Sequence, residues 1–249
     1  MKITFIGSSH GMPMKGRFCQ CMLVEVGEKA YMIDCGAMSV HWMVNNDFDK
    51  TKLKAVFITH LHGDHVNGLT ELCDLATWCY NKTMDFDVYF PEKRGVDAFD
   101  TMLQCVLFDS GIYPSERIRL KTIESPQVYQ DDTVKITAYP TLHMQHGKFP
   151  AYGYLIEGEG KKLYISGDLV GQDIDDYPEI ADTMDLDCFV VECAHFPFAS
   201  LQKRLDNTKA KKVLITHVHP QSQFDAINEY IKIAKTEVIA VNDNDCFEI

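Results

Sequence analysis

Apolar residues along the chain follow two spacings, one typical of strands and one typical of helices, and together they predict a mixed α/β fold. Two β-hairpins are predicted around short Gly-containing turns, the first over Cys21–Asp34 and the second over Ala151–Ile165. Amphipathic helices are predicted over Val66–Tyr80, Val96–Phe108 and Gln223–Ala234. The chain therefore alternates strands and helices from one end to the other.

Short apolar runs that end at polar turns predict buried strands between these elements. The runs are Lys2–Gly7, Ala55–Ile58, Asp87–Phe90, Val134–Tyr139, Cys188–Glu192, Val213–Ile215 and Glu237–Val241. Short helices are predicted at Met38–Asn45 and Leu201–Asp206, and Cys246–Ile249 is predicted to pair at a sheet edge. Residues 112–128 carry turn signals without a readable periodicity, so no element is predicted there.

One loop concentrates potential metal ligands. Residues 59–65 read Thr-His-Leu-His-Gly-Asp-His and directly follow a predicted strand. In extended chain His60 and His62 project to the same side, while Asp64 and His65 come round the following turn. A chance surface cluster would need three of the ten histidines to fall in six residues after a strand. We interpret the loop as a metal site at the C-terminal edge of a strand.

The same pattern recurs in the second half of the chain. Residues 54–62 and 211–219 agree at Lys, Val, Ile, Thr and both His, and each copy follows a hairpin that ends in an acid, Asp34 or Asp168. The separation is too long for a solenoid repeat. Two related halves of this kind would stack sheet on sheet with helices outside, and their loops would meet along one edge. Asp34 has two open roles: it turns the chain, or it accepts an N–H from a ligand histidine.

Strand-end loops elsewhere complete a candidate metal centre. The full set is His60, His62, Asp64, His65, His143, Asp168 and His217. Seven nitrogen and oxygen ligands suit two divalent ions with an open position, since a catalytic zinc keeps three protein ligands and a water. A carboxylate such as Asp168 can bridge two ions that share a hydroxide. Because the set contains no thiolate, Zn, Mn or Fe is expected.

Composition narrows the classes of function. A formal net charge of -12 repels polyanions, so a nucleic-acid substrate is disfavoured and a small-molecule substrate is expected. The nine scattered cysteines show no paired framework and are expected to be reduced thiols. No apolar run approaches the length of a membrane span, and the chain enters a strand at once, so a cytoplasmic location without membrane contact is expected. The oligomeric state stays open, with a homodimer as one option.

The order of the ligands resembles the metallo-β-lactamase superfamily. The pattern H-x-H-x-D-H at residues 60–65, then His143, Asp168 and His217 at later strand ends, is similar to that of its αββα hydrolases. The similarity covers nearly the whole chain, which implies one α/β domain over residues 1–249 with the αββα four-layer sandwich fold. True β-lactamases commonly have Cys where this chain has Asp168, so antibiotic hydrolysis is disfavoured.

Three further segments are similar to the ribonuclease Z and phosphodiesterase-like branch of this superfamily. They are residues 151–156, 164–168 and 191–195. Two features of tRNA processing in that branch are not found in this sequence: an inserted Gly/Pro-rich basic arm, and a His-Ser-Thr motif shortly before the last ligand. The resemblance therefore implies a ribonuclease Z-like core with a small, unassigned substrate.

The resemblance also implies a role for each ligand. The first ion would be held by His60, His62 and His143, and the second by Asp64, His65 and His217. Asp168 would bridge the two ions, and their shared hydroxide would be the nucleophile. Asp64 would orient that hydroxide as well as bind.

A leaving group needs a proton donor, and His195 is the candidate, with Glu192 raising its pKa and fixing its tautomer. The alternative is a histidine packed among the aromatic residues that follow it. Because Pro220 turns the chain away, His219 is expected behind the ligands or at the rim. His10 and His146 lie on loops that could face the site, and Lys148 could meet an anionic group, but a solvated loop position is favoured for each of the three.

These inferences converge on a dinuclear metal-dependent hydrolase. On the resemblance alone, phosphodiester hydrolysis stands ahead of ester, lactone or thioester hydrolysis, and a ligand-binding protein without catalysis is the alternative class. The expected cofactors are two divalent ions, zinc first, with Mn or Fe as options.

Overall fold

The computed structural model describes residues 1–12, 14–80, 83–107 and 116–249. In chain order its strands are β1 (Lys2–Gly7), β2 (Cys21–Val26), β3 (Lys29–Ile33), β4 (Leu53–Phe57), β5 (Phe86–Phe90), β6 (Ile118–Thr122), β7 (Gln127–Gln130), β8 (Val134–Pro140), β9 (Tyr152–Gly158), β10 (Lys161–Ile165), β11 (Cys188–Glu192), β12 (Lys212–Thr216), β13 (Glu237–Ala240) and β14 (Cys246–Glu248). The helices are α1 (Ser39–Asn45), α2 (Gly63–Val66), α3 (Leu69–Trp78), α4 (Lys93–Leu107), α5 (Ile180–Thr183), α6 (Phe198–Leu205) and α7 (Gln223–Ile231).

The strands form two seven-stranded sheets with matching layouts. The first has the order β14-β1-β2-β3-β4-β5-β6 and the second β13-β12-β11-β10-β9-β8-β7. In the first sheet β3 to β6 run parallel, and in the second β10 to β13 do; the remaining pairs are antiparallel. Each parallel set begins at the second strand of a predicted hairpin, which confirms two similar halves.

Burial on both faces of each sheet explains the apolar runs. Along β4, Ala55 and Phe57 face the other sheet, while Val56 and Ile58 pack beneath the helices of the first half. The layer between the sheets is filled from both sides, for example by Phe57 and Tyr154.

Helices cover the two outer faces. The first sheet is covered by α1, α3 and α4, and the second by α5, α6 and α7. The layers therefore follow the order α, β, β, α, which confirms the predicted four-layer sandwich.

The hairpins and most other predicted elements are present within a few residues of their expected bounds. The helix predicted over Val66–Tyr80 is shorter in the structure: α3 covers Leu69–Trp78, and Val66 ends the separate short helix α2. Gly68 lies at the break, where an added Cβ would stand 1.9 Å from the carbonyl oxygen of Ala37. The break lets the turn that carries His65 pack against Cys35, whose N–H donates to the His65 carbonyl at 2.8 Å.

In the described part of the chain, β6, β7, α2, α5 and a short 3-10 helix at Lys50–Lys52 were not predicted. β6 and the start of β7 lie in residues 112–128, while Phe108 and residues 112–115 lie outside the described residues. The C-terminal strand β14 pairs with β1 at the edge of the first sheet, as expected. All nine cysteines are unpaired. Among the described residues, no helix is both long enough and apolar enough to cross a bilayer.

Candidate metal centre

The seven predicted ligands meet at one edge of the sandwich. His60 and His62 lie on the loop after β4, and Asp64 and His65 are on α2. The other three come from loops that follow β8, β10 and β12, namely His143, Asp168 and His217. Strand ends from both sheets therefore supply the centre, as the strand-end pattern predicts.

The ligands form two clusters. His60, His62, His143 and Asp168 form the first, and Asp64, His65 and His217 form the second; within each, one ligating atom per residue lies within 4.8 Å of the others. In the first cluster the Nδ1 of His62 lies 2.9 Å from the Nε2 of His60 and 3.1 Å from the Nε2 of His143. In the second, the Oδ2 of Asp64 lies 3.6 Å from the Nε2 of both His65 and His217.

Asp168 lies between the clusters. Its Oδ2 is 3.7 Å from the Nε2 of His60 and 3.6 Å from that of His143. The same oxygen is 3.5 Å from the Nε2 of both His65 and His217. One carboxylate oxygen thus faces ligands of both clusters.

The donor set fits divalent ions. The Nε2 atoms of His65 and His217 are buried and have no hydrogen-bond partner, which is costly unless something else binds them. Two nitrogen or oxygen ligands of one zinc ion lie roughly 3 to 3.5 Å apart, given bond lengths of about 2.1 Å. The separations around Asp168 and Asp64 are close to this value.

The hydrogen bonds that His65 and His143 make through Nδ1 determine which ring nitrogen is available to bind a metal. The Nδ1 of His65 lies 2.7 Å from the Oδ2 of Asp34, and the Nδ1 of His143 lies 3.2 Å from the carbonyl oxygen of Leu169. Both acceptors require a protonated Nδ1, so each Nε2 presents its lone pair to the cluster. The second of the two roles left open for Asp34 is thus the one observed.

Thr59 joins Asp34 to the first cluster. Its N–H donates to the Oδ1 of Asp34 at 2.8 Å, and its hydroxyl lies 2.9 Å from Oδ2 and 3.1 Å from the Nδ1 of His60. Asp34 has a φ of 57° and His217 a φ of 54°, in the left-handed region that residues other than Gly seldom adopt. Such strained positions cluster at functional sites.

Burial and neighbouring charges shift the pKa values of three residues in the centre. Burial lowers the pKa of His60 well below its usual value. Burial also disfavours charge on His65, but Asp168 and Asp34 together raise its pKa well above the usual value. Against the opposing effect of burial, His217 and His65 hold the pKa of Asp168 well below its usual range. Asp168 therefore keeps its negative charge where cations would bind.

His195 contacts Glu192 beside the first cluster. Its Nδ1 lies 2.9 Å from the Oε1 of Glu192, and its ring centroid lies 4.5 Å from that of His143. Burial lowers the pKa of His195, but the hydrogen bond to Glu192 and the charge of that carboxylate raise it to about 9. Glu192 is itself fixed by the N–H groups of Leu169 and Ala194, at 3.0 and 2.6 Å. The contact predicted between His195 and Glu192 is present.

The prediction that His10 is a solvated loop residue is wrong. It is half-buried, and its ring stacks on that of His219 at a centroid distance of 4.8 Å. Burial and the nearby His217, His195 and His219 lower the pKa of His10 to about 4. His219 belongs to neither ligand cluster, in agreement with its expected place at the rim. The two other loop residues, His146 and Lys148, are exposed as expected.

One residue that holds the centre together was not predicted from the sequence. Asp176 accepts the N–H of Leu142 through Oδ2 at 2.7 Å and that of Val170 through Oδ1 at 2.8 Å. These backbone groups flank His143 and Asp168. Because both partners are main-chain atoms, no side-chain pattern could have marked Asp176.

Comparison with known proteins places this geometry in a family. The family model described as anti-Pycsar protein Apyc1 matches residues 1–237. Ribonuclease Z of Synechococcus sp. (strain CC9311) is 34% identical over 165 residues, which are 63% of this chain and 49% of that protein. The chain spans about half the length of the curated relatives it matches.

Solved structures share the fold at low sequence identity. The metallo-β-lactamase fold protein YhfI from Bacillus subtilis has a TM-score of 0.77 at 17% identity. The match covers 99% of this chain and 99% of that chain. The short form of human tRNase Z has a TM-score of 0.74 at 19% identity, with 100% of this chain and 99% of that chain covered. Together with the ribonuclease Z match, they confirm the resemblance inferred from the ligand pattern.

Proposed function

The chain belongs to the anti-Pycsar protein Apyc1 family, and from that premise we propose that it is a metal-dependent hydrolase that cleaves a phosphodiester of a small substrate. The observation that carries the proposal is the position of Asp168, whose Oδ2 lies 3.5 to 3.7 Å from four imidazole nitrogens of the two clusters. A site of this form suits two divalent ions that share one carboxylate, with zinc first and Mn or Fe as alternatives. Residues 1–249 would form one catalytic domain.

Seven side chains would hold the ions. The first would bind His60, His62 and His143, the second would bind Asp64, His65 and His217, and Asp168 would contact both. When bound, two such ions lower the pKa of a shared water and so supply hydroxide at neutral pH. Asp64 would accept a hydrogen bond from the attacking water, in addition to its role as a ligand.

His195 would supply the proton that the leaving group needs. Glu192 fixes the Nδ1 proton of His195, so the Nε2 of the imidazolium is the atom free to donate. The anionic Glu192 favours the charged ring, which is the form required of a general acid. A side-chain exposure of 26% leaves the ring accessible to a substrate.

Phosphodiester chemistry is favoured by the ribonuclease Z relatives, since RNA is itself a phosphodiester chain. A small substrate is favoured over RNA by the formal net charge of -12, which repels polyanions.

Metal analysis followed by a substrate panel tests the proposal. We expect two divalent ions per chain and turnover of a chromogenic phosphodiester, with little turnover of a carboxylic ester, a lactone, a thioester or single-stranded RNA. Turnover of the ester or thioester alone would place the protein among carbonyl hydrolases. No turnover at all with both ions present would support the ligand-binding class instead.

Two variants test the roles of the side chains. Asp64→Ala should abolish turnover while part of the metal is retained, and Asp225→Ala, which changes an exposed acid on α7, should have no effect. His195→Ala should slow diesters with poor leaving groups more than those with good ones. Equal slowing of both would exclude His195 as the proton donor.

A further inference from the structure

The loop between β1 and β2 brings His10 over the second ligand cluster. The His10 ring centroid lies 5.1 Å from that of His217 and 5.6 Å from that of His195. Beside it, a Cβ added to Gly11 would stand 3.0 Å from the Asp64 carboxylate. The backbone of this loop is therefore packed directly against a predicted ligand, and His10 lies at the edge of the centre.

The tautomer of His10 follows from its backbone contact. The N–H of Met12 points to the Nδ1 of His10 at 3.1 Å. Because an amide N–H can only donate, this Nδ1 is an acceptor without a proton, and the ring carries its proton on Nε2. The Nε2–H is therefore the N–H that this ring can donate.

The ring is held in place from two sides. It stacks on His219 with an interplanar angle of 21°. The base of the loop is anchored to Asp243, which accepts the N–H of Ser8 at 2.9 Å and that of Phe18 at 2.6 Å. A donor fixed in this way needs no reorganisation when a ligand arrives.

A role as an additional metal ligand does not fit His10. Both ligand clusters are formed without His10, and no group of ligating atoms among the described residues includes it. What His10 offers is one oriented N–H beside the position proposed for the second ion.

We propose that His10 is a substrate-binding residue whose Nε2–H donates a hydrogen bond to an anionic oxygen of the substrate, a non-bridging oxygen in the case of a phosphodiester. The inference rests on the proposed function and extends it. His10 and His195 then divide two tasks, since Glu192 makes His195 a proton donor while Met12 makes His10 a fixed hydrogen-bond donor. His219 supports the His10 ring and positions it.

Orthophosphate binding to the metal-loaded protein tests the role without any turnover. His10→Phe retains a ring that can stack on His219 but has no donor, and we expect its phosphate affinity to fall roughly tenfold to a hundredfold, as for a lost hydrogen bond to a charged group. His10→Gln places an amide N–H near the position of Nε2 and should stay within about threefold of the wild type. His41→Phe, at a histidine with 67% side-chain exposure, is the matched control.

Titration calorimetry measures the phosphate affinity, and metal analysis of each variant shows that both ions are retained. Wild-type affinity in His10→Phe, or equal losses in the Phe and Gln variants, would overturn the proposal. Nitrogen NMR of the metal-free protein adds a test that needs no variant, because it reports which ring nitrogen is protonated. A proton on Nδ1 would contradict the assigned donor.

The outcomes separate this inference from the proposed function. A wild-type protein that hydrolyses no phosphodiester but binds phosphate through His10 would refute the function and support the inference. Phosphodiester turnover by the wild type together with unchanged phosphate binding in His10→Phe would support the function and refute the inference.

Discussion

Residues 54–62 and 211–219 carry nearly the same sequence but occupy different places in the fold. β4 lies directly beside the hairpin strand β3, whereas β11 lies between the hairpin strand β10 and β12. The counterpart of β4 in the second sheet is therefore β11, whose end carries Glu192 and leads to His195. The repeated sequence therefore lies on β4 and β12, which are not equivalent strands of the two halves.

The first histidine of each copy belongs to a cluster of potential ligands, but the second does so in only one copy. His60 and His62 belong to the first cluster and His217 to the second. His219 instead stacks on His10. Gly63 begins α2 after the first copy, and Pro220 follows the second. The residues after the motif therefore decide what its second histidine does.

The acids that end the two hairpins also differ in role. Asp34 contacts the Nδ1 of His65 and fixes that ring from behind. Asp168 faces both clusters directly, and the Nδ1 of His217 has no hydrogen-bond partner. Matching positions in a repeated pattern thus supply a ligand in one half and a support for a ligand in the other.

The largest effects are expected at the position that the copies share. His60→Ala should remove binding of the first ion and His217→Ala that of the second, because each is a predicted ligand and is fully buried. A catalytic ion contributes several kcal/mol to transition-state stabilisation, so turnover should fall roughly a thousandfold or more in each variant. Metal content and turnover are measured together, with His41→Ala as control. Two retained ions in either variant would contradict the ligand assignment.

The second histidine of each copy should respond differently to substitution. His62→Ala should lose metal and activity as a ligand variant does, whereas His219→Ala should retain both ions and lose less than about tenfold in turnover, since only support for His10 is removed. Metal content again decides the comparison. Loss of an ion from His219→Ala would mean that the second histidine is a metal ligand in both copies.

The sequence predicted the centre better than it predicted its surroundings. The seven predicted ligands follow strand ends, and four of them fall in residues 60–65, so their grouping could be predicted without coordinates. His10 lies on a loop that the sequence allowed to face the site, but its contacts could not be predicted, because His217 and His219 lie more than two hundred residues further along the chain. The packing of Gly11 against Asp64 brings this loop to the centre.

The missed strands have a comparable cause. β6 is an edge strand with little apolar alternation, and its Arg119 and Lys121 contact Asp87 on the neighbouring strand. Ion pairs of this kind join strands that are distant in sequence. The segment of β6 alone therefore shows a polar pattern, which is typical of a loop. α5 is only four residues long, which is too short to establish a helical period.

A smaller effect is expected for the acid behind His65. Asp34→Asn retains the shape of the side chain but weakens its hold on the Nδ1 proton, so affinity for the second ion should fall about tenfold to a hundredfold. Competition with a chelator measures this change. The control is Thr216→Val, whose hydroxyl donates to Gln20 at 3.2 Å, and it should leave metal affinity unchanged. Equal affinity in Asp34→Asn and the wild type would exclude the supporting role.

The smallest effect is expected at the lysine that begins each copy. Lys54 donates to the carbonyl oxygen of Thr51 at 2.8 Å, and Lys211 pairs with Asp187 at 2.8 Å with 71% of its side chain exposed. Exposed contacts of this kind contribute little, so Lys54→Ala and Lys211→Ala should each leave the free energy of unfolding close to that of the wild type. Denaturant unfolding and metal titration test both variants beside the wild type. A marked loss of stability or metal in only one of them would show that the shared lysine has a role in that copy, and that the resemblance between the copies extends beyond their histidines.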